Sequence, residues 1–201
     1  MDINLKIFQI VVLIFSAIIH EYMHGWMAFR LGDSTAKDMG RLSLNPLVHM
    51  DPFGSFLLPF LMIISGSSFV FGWAKPVPYN PHNLKDQKWG GAKVALAGPL
   101  GNLITAIFFG LMLRFMPFFN LYLMNFLAII VYINLILMVF NLIPIPPLDG
   151  SKIIAPLLSS EARQKYLSIE RYGMFIILLF LGFGFSIVLT IVQFLFRIIV
   201  G

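Results

Sequence analysis

The stretch Ser16–Phe29, SAIIHEYMHGWMAF, sits inside an apolar block that runs from Leu5 to Leu31. A block of that length exceeds the roughly 20 residues an α-helix needs to cross a hydrocarbon core. Yet it carries His20, Glu21 and His24 within five positions. Ionisable side chains at membrane depth are unfavourable and mark functional positions. The i, i+4 spacing places both imidazoles on one face of a helix, where they can ligate one metal, and Glu21 stands beside them within reach of a water on that metal. The competing reading is a polar helix interface with hydrogen-bonded histidines.

The rest of the chain agrees with a membrane setting. Of 201 residues, 59% are apolar and 11% charged, whereas soluble domains carry about 25% charged residues. This composition excludes an ordinary water-soluble globule. The absence of cysteine excludes a disulfide scaffold, a thiolate metal site and a cysteine nucleophile, so any chemistry must use His, Asp, Glu, Ser, Lys or Tyr. The net charge of +5 is distributed without a basic stripe interleaved with aromatics, so the basic residues are assigned to lipid headgroups and no nucleic acid partner is expected.

Four further apolar blocks follow: Phe53–Phe71, Gly91–Met116, Leu121–Ile145 and Tyr172–Val200. The first block lacks a small-residue cleavage site and reads as a retained helix. The second contains Pro59 and dissolves into Ser65, Gly66, Ser67 and Ser68 after little more than a dozen apolar residues. Blocks that short are often re-entrant. Phe69–Tyr79, FVFGWAKPVPY, has β-formers with prolines at alternate positions and suits an edge strand or extended segment. Ser151–Arg171 reads as a short amphipathic helix and linker. The expected fold is an all-α integral membrane protein: a polytopic helical bundle with about four full transmembrane helices, one re-entrant or short membrane segment and a small extended or β edge segment. A single domain, 1–201, is expected, with its core at about 5–152 and the amphipathic segment and last transmembrane helix at 153–201.

Two histidines leave a catalytic zinc one protein ligand short. His49 and His82 fall in polar loops and read as solvated or structural. Asp149 is the better candidate. It lies in NLIPIPPLDG, Asn141–Gly150, where three prolines prevent a regular helix, and such broken backbone at membrane depth requires protein or a water-filled cavity around it. Its alternative role is the N-cap of a helix near Ser151.

Charge tests the topology. If all five blocks cross, Lys and Arg divide nine against five; if the second block re-enters, they divide eleven against three. The second arrangement obeys the positive-inside rule better and brings His20, His24 and Asp149 to one end. It places both termini outside and the site open toward the cytoplasm of a cell membrane.

HEYMH together with Asp149 in NxxPxxxxDG resembles the site-2 protease family of intramembrane zinc metalloproteases. The segments GRLSLNPLVHMDPFG, FGWAKPVPYNP and LAGPLGN are similar to its compact prokaryotic branch without PDZ or CBS domain, over roughly Leu13–Lys152. The resemblance implies Zn2+ held by His20, His24 and Asp149, with Glu21 as catalytic acid/base. Asn141 matches the asparagine of the second motif and is assigned either an oxyanion donor role or a hydrogen bond that steadies the broken helix. Asn102 matches the GPxxN segment, where interhelical bonding outweighs catalysis. The implied activity is regulated intramembrane proteolysis: hydrolysis in or near transmembrane segments of a membrane protein substrate, with a separate regulatory or adaptor protein as a further partner. The alternative is a membrane metal-binding or metal-transport protein. Cleavage requires local unwinding of the substrate helix, and Phe69–Tyr79 either pairs with the extended chain or packs over the cavity as a loop.

Overall fold

The computed structural model describes residues 3–65, 75–116 and 120–201. The first helix, α1 (Ile3–Arg30), is followed by two single-turn helices, α2 (Thr35–Asp38) and α3 (Pro46–His49). A π-helical turn, Pro52–Leu57, leads into α4 (Leu58–Ile64). Two long helices, α5 (Gly90–Phe115) and α6 (Leu121–Asn141), are followed by α7 (Asp149–Ile154), α8 (Ser160–Ser168), α9 (Gly173–Phe183) and α10 (Phe185–Val200).

Local sequence accounts for the boundaries. Asp86 Oδ1 accepts from the N–H groups of Lys88 and Trp89 in the turn that leads into α5, and Asn120 Oδ1 accepts from Leu123 N–H at the start of α6, satisfying a helix N–H that has no partner within the helix. The end of α6 coincides with Pro144, Pro146 and Pro147, which cannot extend the helical ladder.

The core lies between α5, α6 and α10, where Ala106, Val131, Leu135, Met138, Val139, Val188 and Val192 are buried together. The outward faces are apolar as well: Phe15, Ile104, Phe108 and Phe183 are all more than half exposed. A soluble monomer rarely leaves so much contiguous apolar surface uncovered, whereas acyl chains cover it without penalty.

Ile3–Arg30, Gly90–Phe115, Leu121–Asn141 and Ser160–Phe183 are long and apolar enough to cross a membrane, and Phe185–Val200 is a shorter apolar helix. Gly173, at the start of α9, packs on Pro146 and Pro147 at the end of the bundle that holds the α6–α7 loop. At the opposite end, Arg114 Nη1 on α5 donates to the Ile198 carbonyl of α10 at 3.0 Å. Thus α9 and α10 together make one passage. The expected single helix over Tyr172–Val200 is interrupted at Gly184, consistent with the low helix propensity of the two glycines at 182 and 184.

The second apolar block does not cross. Lys75 N–H donates to the His49 carbonyl at 2.8 Å, and Arg41 donates to the carbonyls of Val48, Lys75 and Pro76 at 2.6, 2.9 and 3.2 Å. The chain therefore leaves and returns at the same end of the bundle. The ring of Phe8 on α1 lies 4.5 Å from that of Phe126 on α6, far from this end, so the N-terminal part of α1 shares its end with the C-terminus of α10.

Of the expected edge segment, residues 69–74 lie outside the described residues. Among the described residues there is no strand, and 75–80 run without regular hydrogen bonding. This strap is held at its far end by the enclosed Asp33, which accepts from Asn80 N–H at 2.7 Å, Asn83 Nδ2 at 2.8 Å and Thr35 Oγ1 at 2.6 Å. Burial alone would raise the Asp33 carboxyl, but the bonds from Thr35, Asn83 and Asn80 hold it below its ordinary value.

Candidate metal centre

In the folded chain His20 and His24 lie one helical turn apart on α1, both largely enclosed, their rings 4.6 Å apart and nearly perpendicular. Asp149 meets them although it is 129 residues from His20 in sequence. Its Oδ2 lies 3.0 Å from His20 Nε2 and 3.1 Å from His24 Nε2. Asp149 is the first residue of α7, with Leu148 as N-cap and no side-chain capping bond. Its carboxylate faces the imidazoles instead of the helix backbone.

The outer nitrogens settle the tautomers. His24 Nδ1 donates to the Val94 carbonyl at 2.8 Å, and His20 Nδ1 donates to Asn102 Oδ1 at 2.7 Å. A carbonyl oxygen can only accept, so each Nδ1 carries a proton, and each ring in its neutral form presents a lone pair at Nε2. Two imidazole lone pairs and one carboxylate oxygen then converge on a single point. The ligand atoms of a tetrahedral zinc, with bonds of about 2.0–2.1 Å, stand about 3.3 Å apart. The separations of 3.0 and 3.1 Å are compatible with such an ion after little adjustment, and three such ligands would leave a fourth position for water or substrate.

Two glycines make the approach possible. A Cβ on Gly98 of α5 would lie 2.5 Å from the His24 ring and 2.7 Å from His20 Nε2. On Gly150 it would lie 2.2 Å from the Leu142 carbonyl oxygen, so the tight return that delivers Asp149 leaves no space for a side chain.

Glu21 stands beside the cluster, and ligand atoms of His20, Glu21 and His24 lie within 4.8 Å of one another. Its Oε2 accepts from Val77 N–H of the strap at 2.9 Å. A cavity of about 290 Å³ opens here, lined among others by His20, Glu21, His24, Val77, Asn141 and Asp149, with Lys152 and Glu170 also on its wall. A larger groove of about 470 Å³ between α6 and α9–α10 is almost wholly apolar and offers no group for bond-breaking chemistry.

Asn141 thus lies at the cavity, with its Nδ2 donating to the Leu137 carbonyl one turn back at 2.9 Å. Asn102 is fully buried behind His20. His49 is buried with Nε2 donating to the Ser43 carbonyl at 2.6 Å, and His82 is exposed in the turn Pro81–Asn83; neither joins the cluster. Sequence reasoning missed Ser16, Asn134 and the Val77 N–H. Asn134, a lone amide within the apolar run of α6, carried a usable signal, because polar groups inside a span need partners.

The family model of Peptidase family M50 matches residues 118–184, a stretch that includes Asn141 and Asp149. The chain is 39% identical over 184 residues to "Putative zinc metalloprotease YwhC" of Bacillus subtilis, covering 88% of this chain and 80% of the relative. It is 32% identical over 171 residues to "Putative zinc metalloprotease Rip2" of Mycolicibacterium smegmatis, covering 83% of this chain and 63% of the relative. A 63-residue stretch is 49% identical to "Putative zinc metalloprotease MJ0611" of Methanocaldococcus jannaschii, covering 31% of this chain. No solved structure matches the chain.

Proposed function

Because the chain belongs to peptidase family M50, the site-2 protease family of zinc metalloproteases, we propose that it hydrolyses peptide bonds in or near the transmembrane segments of other membrane proteins, in regulated intramembrane proteolysis. The observation that carries this reading is the convergence of His20 Nε2, His24 Nε2 and Asp149 Oδ2 beside the Glu21 carboxylate, in a cavity of a helical bundle whose outer faces are apolar.

In this reading His20, His24 and Asp149 hold the zinc. When bound, the ion polarises the scissile carbonyl and brings the pKa of a coordinated water toward neutrality. Glu21, held toward the cavity by Val77 N–H, takes a proton from the attacking water and passes it to the leaving nitrogen as the C–N bond breaks. Asn141 has two amide hydrogens, one of which serves Leu137, so its role as oxyanion donor rests on the other. The working domain is the whole of 1–201: the proposed catalytic core ends near 152, and α10 completes the packing through Val188 and Val192.

Residues 75–78 of the strap offer an extended substrate no free N–H. Lys75 N–H serves His49, Val77 N–H serves Glu21, Pro76 and Pro78 have no N–H, and Arg41 occupies the carbonyls of Lys75 and Pro76. We assign this portion to covering the cavity and orienting Glu21.

Removal of zinc from detergent-purified protein with a chelator is expected to abolish cleavage of a transmembrane substrate, and zinc addition to restore it. Cleavage that persists in metal-free protein overturns the proposal. For orientation, we propose a cell membrane location with the site facing the cytoplasm, supported by eleven of fourteen Lys and Arg falling in the segments at the site end. Reporter fusions after Trp73 should be cytoplasmic and those after Met116 external; an external Trp73 fusion refutes this topology. Recognition through a separate regulatory or adaptor protein completes the proposal.

A further inference from the structure

Behind His20 lies a polar chain within the helix packing. Asn102 and Asn134 are fully buried and Ser16 is nearly so. Asn102 Oδ1 accepts from His20 Nδ1, while Asn102 Nδ2 donates to the Ser16 carbonyl at 3.0 Å and to Asn134 Oδ1 at 2.9 Å. Asn134 Nδ2 in turn donates to Ser16 Oγ at 2.9 Å and to the Ile130 carbonyl at 2.9 Å. All four amide hydrogens of the two asparagines are used.

The direction of this chain is not arbitrary. The side-chain amide can turn over, exchanging its oxygen and nitrogen, unless its neighbours distinguish them. The backbone carbonyls of Ser16 and Ile130 do so, because each can only accept and therefore faces a nitrogen. With both amides set in that sense, every bond from His20 outward runs donor to acceptor, and hydrogen bonds aligned in one direction reinforce one another. A reversed Asn102 would present N–H to His20 Nδ1, move the imidazole proton to Nε2, and remove a metal-binding lone pair.

We propose that Asn134 is a positioning residue of the metal centre, acting through Asn102 to hold the His20 ring in the tautomer and orientation that leave Nε2 for the metal. The proposal rests on the zinc-site reading above. Without Asn134, one Asn102 N–H loses its buried acceptor, and the amide gains reason to turn. Outer partners of metal-bound histidines alter metal affinity by about 10–100-fold when removed.

The test is chelator-competition affinity for zinc, together with the absorption spectrum of bound Co2+, on the purified full chain. Asn134→Leu is expected to weaken zinc by about 10-fold and shift the Co2+ bands while still binding one equivalent at saturation, which collapse of the fold would not give. Asn134→Ala takes its place where the Leu protein does not accumulate. Asn134→Asp, which as the neutral acid that this buried site favours still offers an oxygen to Asn102 Nδ2 and an O–H to the Ile130 carbonyl, is expected to restore affinity to near wild type. Wild-type affinity and spectrum in Asn134→Leu or Asn134→Ala, or failure of Asn134→Asp to restore them, overturns the positioning role. His20→Ala separates this from the underlying reading: wild-type protein without tight zinc, or zinc that survives His20→Ala, sinks the metal centre and the relay with it.

Discussion

Glu21→Gln is expected to lower cleavage of a transmembrane substrate by about 10²–10⁴-fold while leaving the bound zinc in place. The substitution replaces a proton-accepting carboxylate with an amide of the same shape. The amide oxygen can still accept from Val77 N–H, so the strap keeps its anchor. The proposed ligand atoms on His20, His24 and Asp149 are untouched. What disappears is the group that carries the proton from water to the leaving nitrogen. Cleavage and zinc content measured on the same detergent-purified sample decide the matter. Undiminished turnover would refute Glu21 as acid/base, and lost zinc would show it to be a ligand. The pair also separates hydrolysis from the alternative of metal transport, which needs ligands but no such proton carrier.

Gly98→Ala should disable the site from the opposite side, weakening zinc by about 100-fold or more and cleavage with it. The added Cβ would lie 2.5 Å from His24 Nε2 and Cε1, and 2.7 Å from His20 Nε2. Neither ring has an easy retreat, because each is tied through Nδ1, one to the Val94 carbonyl and the other to Asn102. Gly91→Ala on the same helix is the control. Its Cβ would meet only Tyr79 Oη, at 3.9 Å, and alanine is the better helix former, so zinc affinity there should match wild type. A Gly98→Ala protein with wild-type affinity would show that α5 can move away from α1 at little expense.

Much of this was legible in one dimension because the chain is so poor in polar groups. Against a nearly continuous apolar background, His20, Glu21, His24 and Asp149 stand out, since an ionisable residue at membrane depth needs a reason to be there. Helical periodicity is a local property, so i, i+4 spacing placed the two imidazoles on one face without reference to any other segment. The charge bias over the loops likewise predicted that the second apolar block does not cross, and the bond from Lys75 N–H to the His49 carbonyl agrees.

Other features depend on contacts between distant segments, which no local pattern encodes. The last apolar block looked like one unbroken helix, but the chain breaks at Gly184 before α10 joins the core, and α9 and α10 share one passage. The choice between capping and facing the histidines for Asp149 turned on the Gly150 return against the Leu142 carbonyl. The strap read equally as a pairing edge or a covering loop, and Arg41, His49 and Glu21 occupy the N–H groups of Lys75 and Val77 and the carbonyls of Lys75 and Pro76. The amide chain from His20 to Asn134 spans three helices, α1, α5 and α6. Composition and periodicity thus identified the membrane setting and the principal candidate ligands, because desolvation and helical geometry act residue by residue. Packing determined which lone pairs face inward and which edges remain open, because a hydrogen bond needs two partners and the fold selects the second.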